Sequence, residues 1–159
     1  YISTCINKFN FLFEEFINKI IHICPNNKII SYKKAFLILK MTSPSTPVSL
    51  MMSACMDYKS QIKNRDENFF INNKTVKESV SNFAGDIGIK DNWKQFTDLT
   101  KIAIWDYIQS LFVLGEIAIA NNPKEFKKFS GLLSSNYKQE ISNLDGDNFS
   151  VEFISKINS

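Results

Sequence analysis

Residues 93–121, WKQFTDLTKIAIWDYIQSLFVLGEIAIAN, decide the fold of this chain. Leu99, Ile102, Ala103, Trp105, Ile108, Leu111, Phe112, Leu114, Gly115 and Ala118 recur at steps of three and four, a spacing that stacks side chains along one broad face of a helix. Thr97 is the expected N-cap, since its hydroxyl can accept from the unpaired amides of the first turn. Asp98 adds negative charge at the positive end of the helix dipole. Asn121 and Asn122 then precede Pro123, which disfavours helical geometry in the residue before it. The second half of this helix is apolar almost all round, so other elements must wrap it on several sides. The sequence therefore predicts a central core helix over Asp98 to Ala120.

Composition agrees with that centre. At 159 residues the chain is long enough for one substantial core and short for two. Its 14 Phe and 5 Tyr, within a hydrophobic fraction of 44%, can offset the conformational entropy that keeps polar chains unfolded. With only 5 Gly and 4 Pro the turn signals of a many-stranded sandwich or barrel are missing. The expectation is an all-α, single-domain helical bundle of about five to seven helices, with residues 1–122 as the helical core and 123–159 as a C-terminal helical extension packed on it.

Outward from the centre, Phe9, Phe13, Phe16, Ile17 and Ile20 form a stripe from Thr4 to Cys24, which Pro25 ends. A second helix is expected over Ile30 to Met41 with Ser31 as cap. A third follows over Pro47 to Tyr58, with Thr46 and Pro47 as cap and first position and with Leu50, Met51, Ala54, Cys55 and Tyr58 presented at helical spacing. Val76, Val80 and Phe83 fit a short helix, and Ala84 to Lys90 a loop. Two more helices are read over Pro123 to Ser134 and Asp147 to Ile157. Phe13, Phe16, Phe69, Trp93, Trp105, Ile108, Leu111 and Phe112 are the candidate core.

Little chemistry can be read from the motifs. His22 is the only histidine, and no acid or nucleophile stands at a spacing that would make it part of a triad. Cys5, Cys24 and Cys55 form no CxxC pair, so no zinc or redox motif is present, and reduced thiols indicate a reducing compartment. No phosphate loop, HExxH or nucleophile elbow occurs. Asp145-Gly146-Asp147 lacks the ligand spacing of a calcium loop. No cofactor, no metal and no catalytic residue is expected, and the chain is read as a non-enzyme.

Two polar groups stand out. Arg65, Asp66 and Glu67 lie together between Ile62 and Phe69. Neighbouring carboxylates beside an arginine could serve a hydrolase, but successive helical residues diverge by about 100°, which favours an ion pair or a helix cap. Lys124, Lys127 and Lys128 would share one helical face and form the best basic patch. The charge of +3 is otherwise dispersed, so nucleic-acid binding is the weaker reading. Leu111 to Ala120, interrupted by Glu116, is short of the ~20 residues that span a bilayer, and no membrane span is expected. Polar residues also interrupt the first apolar run, and the start at Tyr1 is read as a processed or trimmed end.

Three segments carry a family resemblance: FEEFINKIIHICPNN (Phe13 to Asn27), QIKNRDENFF (Gln61 to Phe70) and NWKQFTDLTKIAIWDYIQSLFVLGEIA (Asn92 to Ala118). Together they resemble a family of small helical proteins of nucleocytoplasmic large DNA viruses, relatives of the mimiviruses and phycodnaviruses. The likeness spans Phe13 to Asn122. It implies a viral structural or interaction protein, a minor capsid-associated component of the virion or an adaptor in infected cytoplasm, with protein partners that include other virion proteins. It implies no catalytic residue.

Overall fold

The computed structural model describes residues 3–71 and 88–129. Within them every regular element is a helix, and the architecture is an all-α single-domain bundle. Helix α1 spans Thr4–Ile23, α2 Asn27–Thr42, α3 Thr46–Cys55, α4 Lys59–Lys63, α5 Asn68–Ile71, α6 Ile89–Asn92 and α7 Asp98–Asn121. The expected helices within 72–87 and over Asp147 to Ile157, and the Asp145-Gly146-Asp147 turn, lie outside the described residues.

Helix α7 is the centre. Thr97 caps it by accepting the Thr100 amide at 3.2 Å, and the helix stops at Asn121, before Pro123. Every residue from Ile108 to Ala118 is buried, which requires cover on all sides. That cover comes mainly from α1, with α3 and α4 on other flanks. The expected inner face is wrong at its start, because Leu99 is 79% and Ile102 49% exposed. From Thr97 to Ala103 every residue is exposed or half-buried, so the apolar period begins before the buried part of α7, which starts at Ile104. Length and apolar composition over Asp98–Asn121 suffice for a bilayer crossing, beyond the ten residues counted from sequence, but 78% of its most apolar window is buried within the protein.

In α1, Ser3 accepts the Ile6 amide as N-cap, and Cys5, Ile6, Phe9, Phe13, Phe16, Ile17 and Ile20 turn inward. Asn122 ties the two ends of the core pair together, its Nδ2 donating to Ser3 Oγ at 3.1 Å and to the Ala118 carbonyl at 2.8 Å.

Helix α2 starts earlier than expected. Asn26 caps it, accepting the Ile29 amide at 2.9 Å, and Ser31 lies within the helix. The reason is local: an Asn placed just after Pro25 caps the first available turn, leaving none for Ser31. Helix α3 also departs from its expected form. Thr46 is its first residue rather than its cap, Ser45 makes no side-chain cap, and the helix ends at Cys55 in a 3-10 turn over Met56–Tyr58. Its inner face consists of Pro47, Val48, Met52 and Cys55, while Leu50 is 57% exposed. Gly115 explains this rotation. A Cβ there would lie 2.5 Å from Met52 Sδ, so the bare backbone of α7 makes room for Met52 and sets the angle of α3.

Phe69, Phe70, Trp93 and Trp105 close the end of the bundle where α4 to α6 meet α7. Trp105 sits 4.7 Å from Phe70 and 6.1 Å from Trp93, centroid to centroid. All eight candidate core residues are buried. After Asn122 the chain forms a turn and one 3-10 turn, Lys127–Phe129, where a helix from Pro123 is expected. Phe126 and Phe129 nonetheless join the core.

A candidate functional site at the polar seam of α4 and α7

The polar residues with the most built surroundings line the junction of α4 with α7. Helix α4 ends in a turn whose hydrogen bonds define a Schellman motif: the Arg65 amide donates to the Ile62 carbonyl at 3.2 Å and the Asp66 amide to the Gln61 carbonyl at 2.9 Å. Such a motif needs a left-handed residue, normally glycine. Here Arg65 occupies it with φ of 51°, the only non-glycine positive φ among the described residues.

The strained backbone aims the Arg65 side chain at α7. Its guanidinium pairs with Asp106 and donates to Gln109 Oε1 from Nε at 3.2 Å and from Nη2 at 2.8 Å. Buried Gln109 in turn donates from Nε2 to the Ile62 and Lys63 carbonyls at 3.0 and 3.2 Å. One amide thereby satisfies the last carbonyls of α4 and receives the arginine that follows it. Two helical turns further on, Glu116 is buried and accepts from Lys59 Nζ at 3.2 Å.

Asp66 and Glu67 point to different partners. Asp66 Oδ1 accepts the Asn68 amide at 3.1 Å and so helps to start α5. Glu67 Oε2 accepts from Trp93 Nε1 at 2.8 Å, giving that buried indole its polar partner. The three neighbours therefore reach three separate elements: Arg65 to α7, Asp66 to α5 and Glu67 to the turn after α6.

The expected basic face over Lys124, Lys127 and Lys128 does not form as drawn, because no α-helix runs through these residues. Lys128 donates to Ser53 Oγ at 3.1 Å and lies over the Phe129 ring. Sequence reasoning missed Asp106, Gln109 and Glu116, although a detectable signal existed. Gln109 and Glu116 are the long polar side chains in an otherwise apolar run, and a polar group on a buried face requires an internal partner.

A second polar contact joins α1 to α7. The Tyr107 hydroxyl donates to Glu15 Oε1 at 3.1 Å, and Lys19 Nζ sits 5.4 Å over the Tyr107 ring. Burial raises the Tyr107 pKa, and hydrogen bonding to Tyr107 raises that of Lys19. Burial pushes the Cys55 thiol up to about 12 and raises Cys24 as well, so both thiols are held protonated. Among the described residues no three His, Cys, Asp or Glu side chains group as a metal site.

No family model, curated protein or solved structure matches this chain.

Proposed function

We propose that this chain is a non-catalytic interaction protein whose bundle is a scaffold for contacts made on its outer surface. One observation supports the reading above others: Phe11, Leu99 and Ile102 are 67%, 79% and 49% exposed on α1 and α7, the two helices that pair at the centre of the core. Large apolar side chains held in water by a rigid helix gain free energy when a partner covers them, at about 25 cal/mol per Å². The carboxylates that a hydrolase reading would use, Asp66 and Glu67, hold a helix start and a core tryptophan, which is the geometry of a scaffold. The resemblance to helical proteins of large DNA viruses adds the setting: a virion or infected cytoplasm, with a virion or host protein as partner.

The test is affinity capture of the tagged full chain from its native cells or particles, with quantitative mass spectrometry. A protein recovered in fixed ratio, and lost with the paired substitution Leu99→Ser and Ile102→Ser, is the expected result. Equal recovery by that variant, or no stoichiometric partner, overturns the reading.

A further inference from the structure

Helix α2 packs unlike the other long helices. Over sixteen residues it fully buries only Ile29 and Phe36. Its opposite side carries Ile30, Ile38 and Met41 at 41%, 63% and 82% exposure. These alternate with lysines: Asn27–Thr42 contains Lys28, Lys33, Lys34 and Lys40 and no acidic residue at all. Lys40 turns to Glu14 of α1 at 3.5 Å and half-buried Lys33 shares the stripe of Ile29 and Phe36, whereas Lys28 and Lys34 lie on the exposed arc. At the first turn of the helix a shallow open depression of about 520 Å³ is lined by Asn27, Lys28, Ser31 and Tyr32.

The geometry points to α2 as a docking face for an anionic membrane surface, with Ile30, Ile38 and Met41 entering the interface and Lys28 and Lys34 meeting lipid phosphates. Charge complementarity selects a negative partner, because a helix with four lysines and no carboxylate of its own carries a single sign. The arrangement of apolar side chains selects a bilayer over a protein helix. A partner helix needs apolar side chains along one narrow seam at alternating steps of four and three. On α2 the seam through Asn27, Ser31, Lys34, Ile38 and Met41 is polar over its first three positions, and the one through Ile30, Lys34, Leu37 and Met41 has a lysine within it and turns Leu37 towards the core. A bilayer imposes no register. Apolar side chains spread over a broad arc all enter together, and lysines between them extend their ammonium groups back to the headgroups. This docking face stands independently of the protein contacts proposed above, since it uses none of Phe11, Leu99 or Ile102.

The test is co-sedimentation of the full chain with vesicles of phosphatidylcholine containing about one third phosphatidylserine, against pure phosphatidylcholine. Binding to the anionic vesicles alone, weakened by added salt, is expected. At about fivefold per lysine, the combined Lys28→Gln and Lys34→Gln variant should bind roughly twenty-five-fold more weakly. The Ile38→Ser and Met41→Ser pair should lose binding while keeping the wild-type melting temperature, because both side chains are exposed. Three results overturn the proposal: no preference for anionic vesicles, undiminished binding by the Ile38/Met41 variant, or tighter binding to a synthetic Glu/Leu amphipathic helix than to the vesicles.

Discussion

Replacing Arg65 with alanine and, separately, with glycine divides the α4–α7 junction into its backbone and side-chain parts. Both substitutions remove the Asp106 ion pair and the two donors to Gln109 Oε1. Hydrogen bonds to a charged group contribute roughly 1.5–3 kcal/mol. The pair is about one third exposed on each side, so screening brings the loss to about 2 kcal/mol. The backbone part differs between the two. Alanine keeps the left-handed strain of φ 51°, which costs a residue with a Cβ roughly 1–2 kcal/mol. Glycine relieves it but gives back about 0.4–1 kcal/mol in unfolded-state entropy. Arg65→Gly should therefore be more stable than Arg65→Ala by roughly 0.5–1 kcal/mol, the reverse of the usual order within helices. Urea unfolding followed by far-UV circular dichroism measures both differences, and unchanged m-values would show that the comparison concerns the folded state. If alanine proves as stable as glycine, Arg65 is not held by the Schellman turn, and the account of the junction fails.

Other perturbations have equally definite outcomes. Trp105→Ala removes the ring that packs on Phe70 and Trp93 and should cost about 3–5 kcal/mol, so a thermal melt close to wild type would refute the central role of α7. Gly115→Val forces atoms into the space of Met52 and should destabilise by about 1–3 kcal/mol. Adding Met52→Ala should recover part of that loss, and strict additivity in chemical denaturation would contradict the proposed contact. The Cys55 thiol, held up at about 12 by burial, binds its proton more tightly folded than unfolded, where it ionises near 9. Its contribution is complete below pH 9 and is lost as pH rises towards 12, so Cys55→Ala should flatten the alkaline fall in stability.

The fold was legible because its main signals are local. Thr97 and Pro123 bracket α7 chemically, and the three-and-four spacing after Ile104 gives its buried faces directly. The errors arise where a competing local signal or a distant contact decides the outcome. Asn26 takes the cap that Ser31 could have made, and Gly115 on a distant helix, not the spacing within α3, decides that Met52 turns inward. Leu99 and Ile102 continue an apolar period beyond Ile104, where the buried part of α7 begins, a difference that the pattern itself cannot encode. The triplet Arg65, Asp66 and Glu67 was visible as a cluster, but its partners Asp106, Gln109 and Trp93 are 26 or more positions away in sequence.

Those distant partners also bear on why polar groups occupy a core that apolar residues could fill. Gln109 and Glu116 both lie on the side of α7 that receives α4, and each fixes a different point along it: Gln109 the end of α4, Glu116 its first residue, Lys59. An apolar face alone would let so short a helix slide or rotate at little cost, because five residues bury only Ile62. Hydrogen bonds at both ends remove that freedom, since any shift leaves buried donors and acceptors unpaired at about 1–3 kcal/mol each. The position of α4 in turn carries Glu67 to Trp93 and seats Phe69 and Phe70 against Trp105. The polar seam thus specifies where the aromatic end of the core assembles.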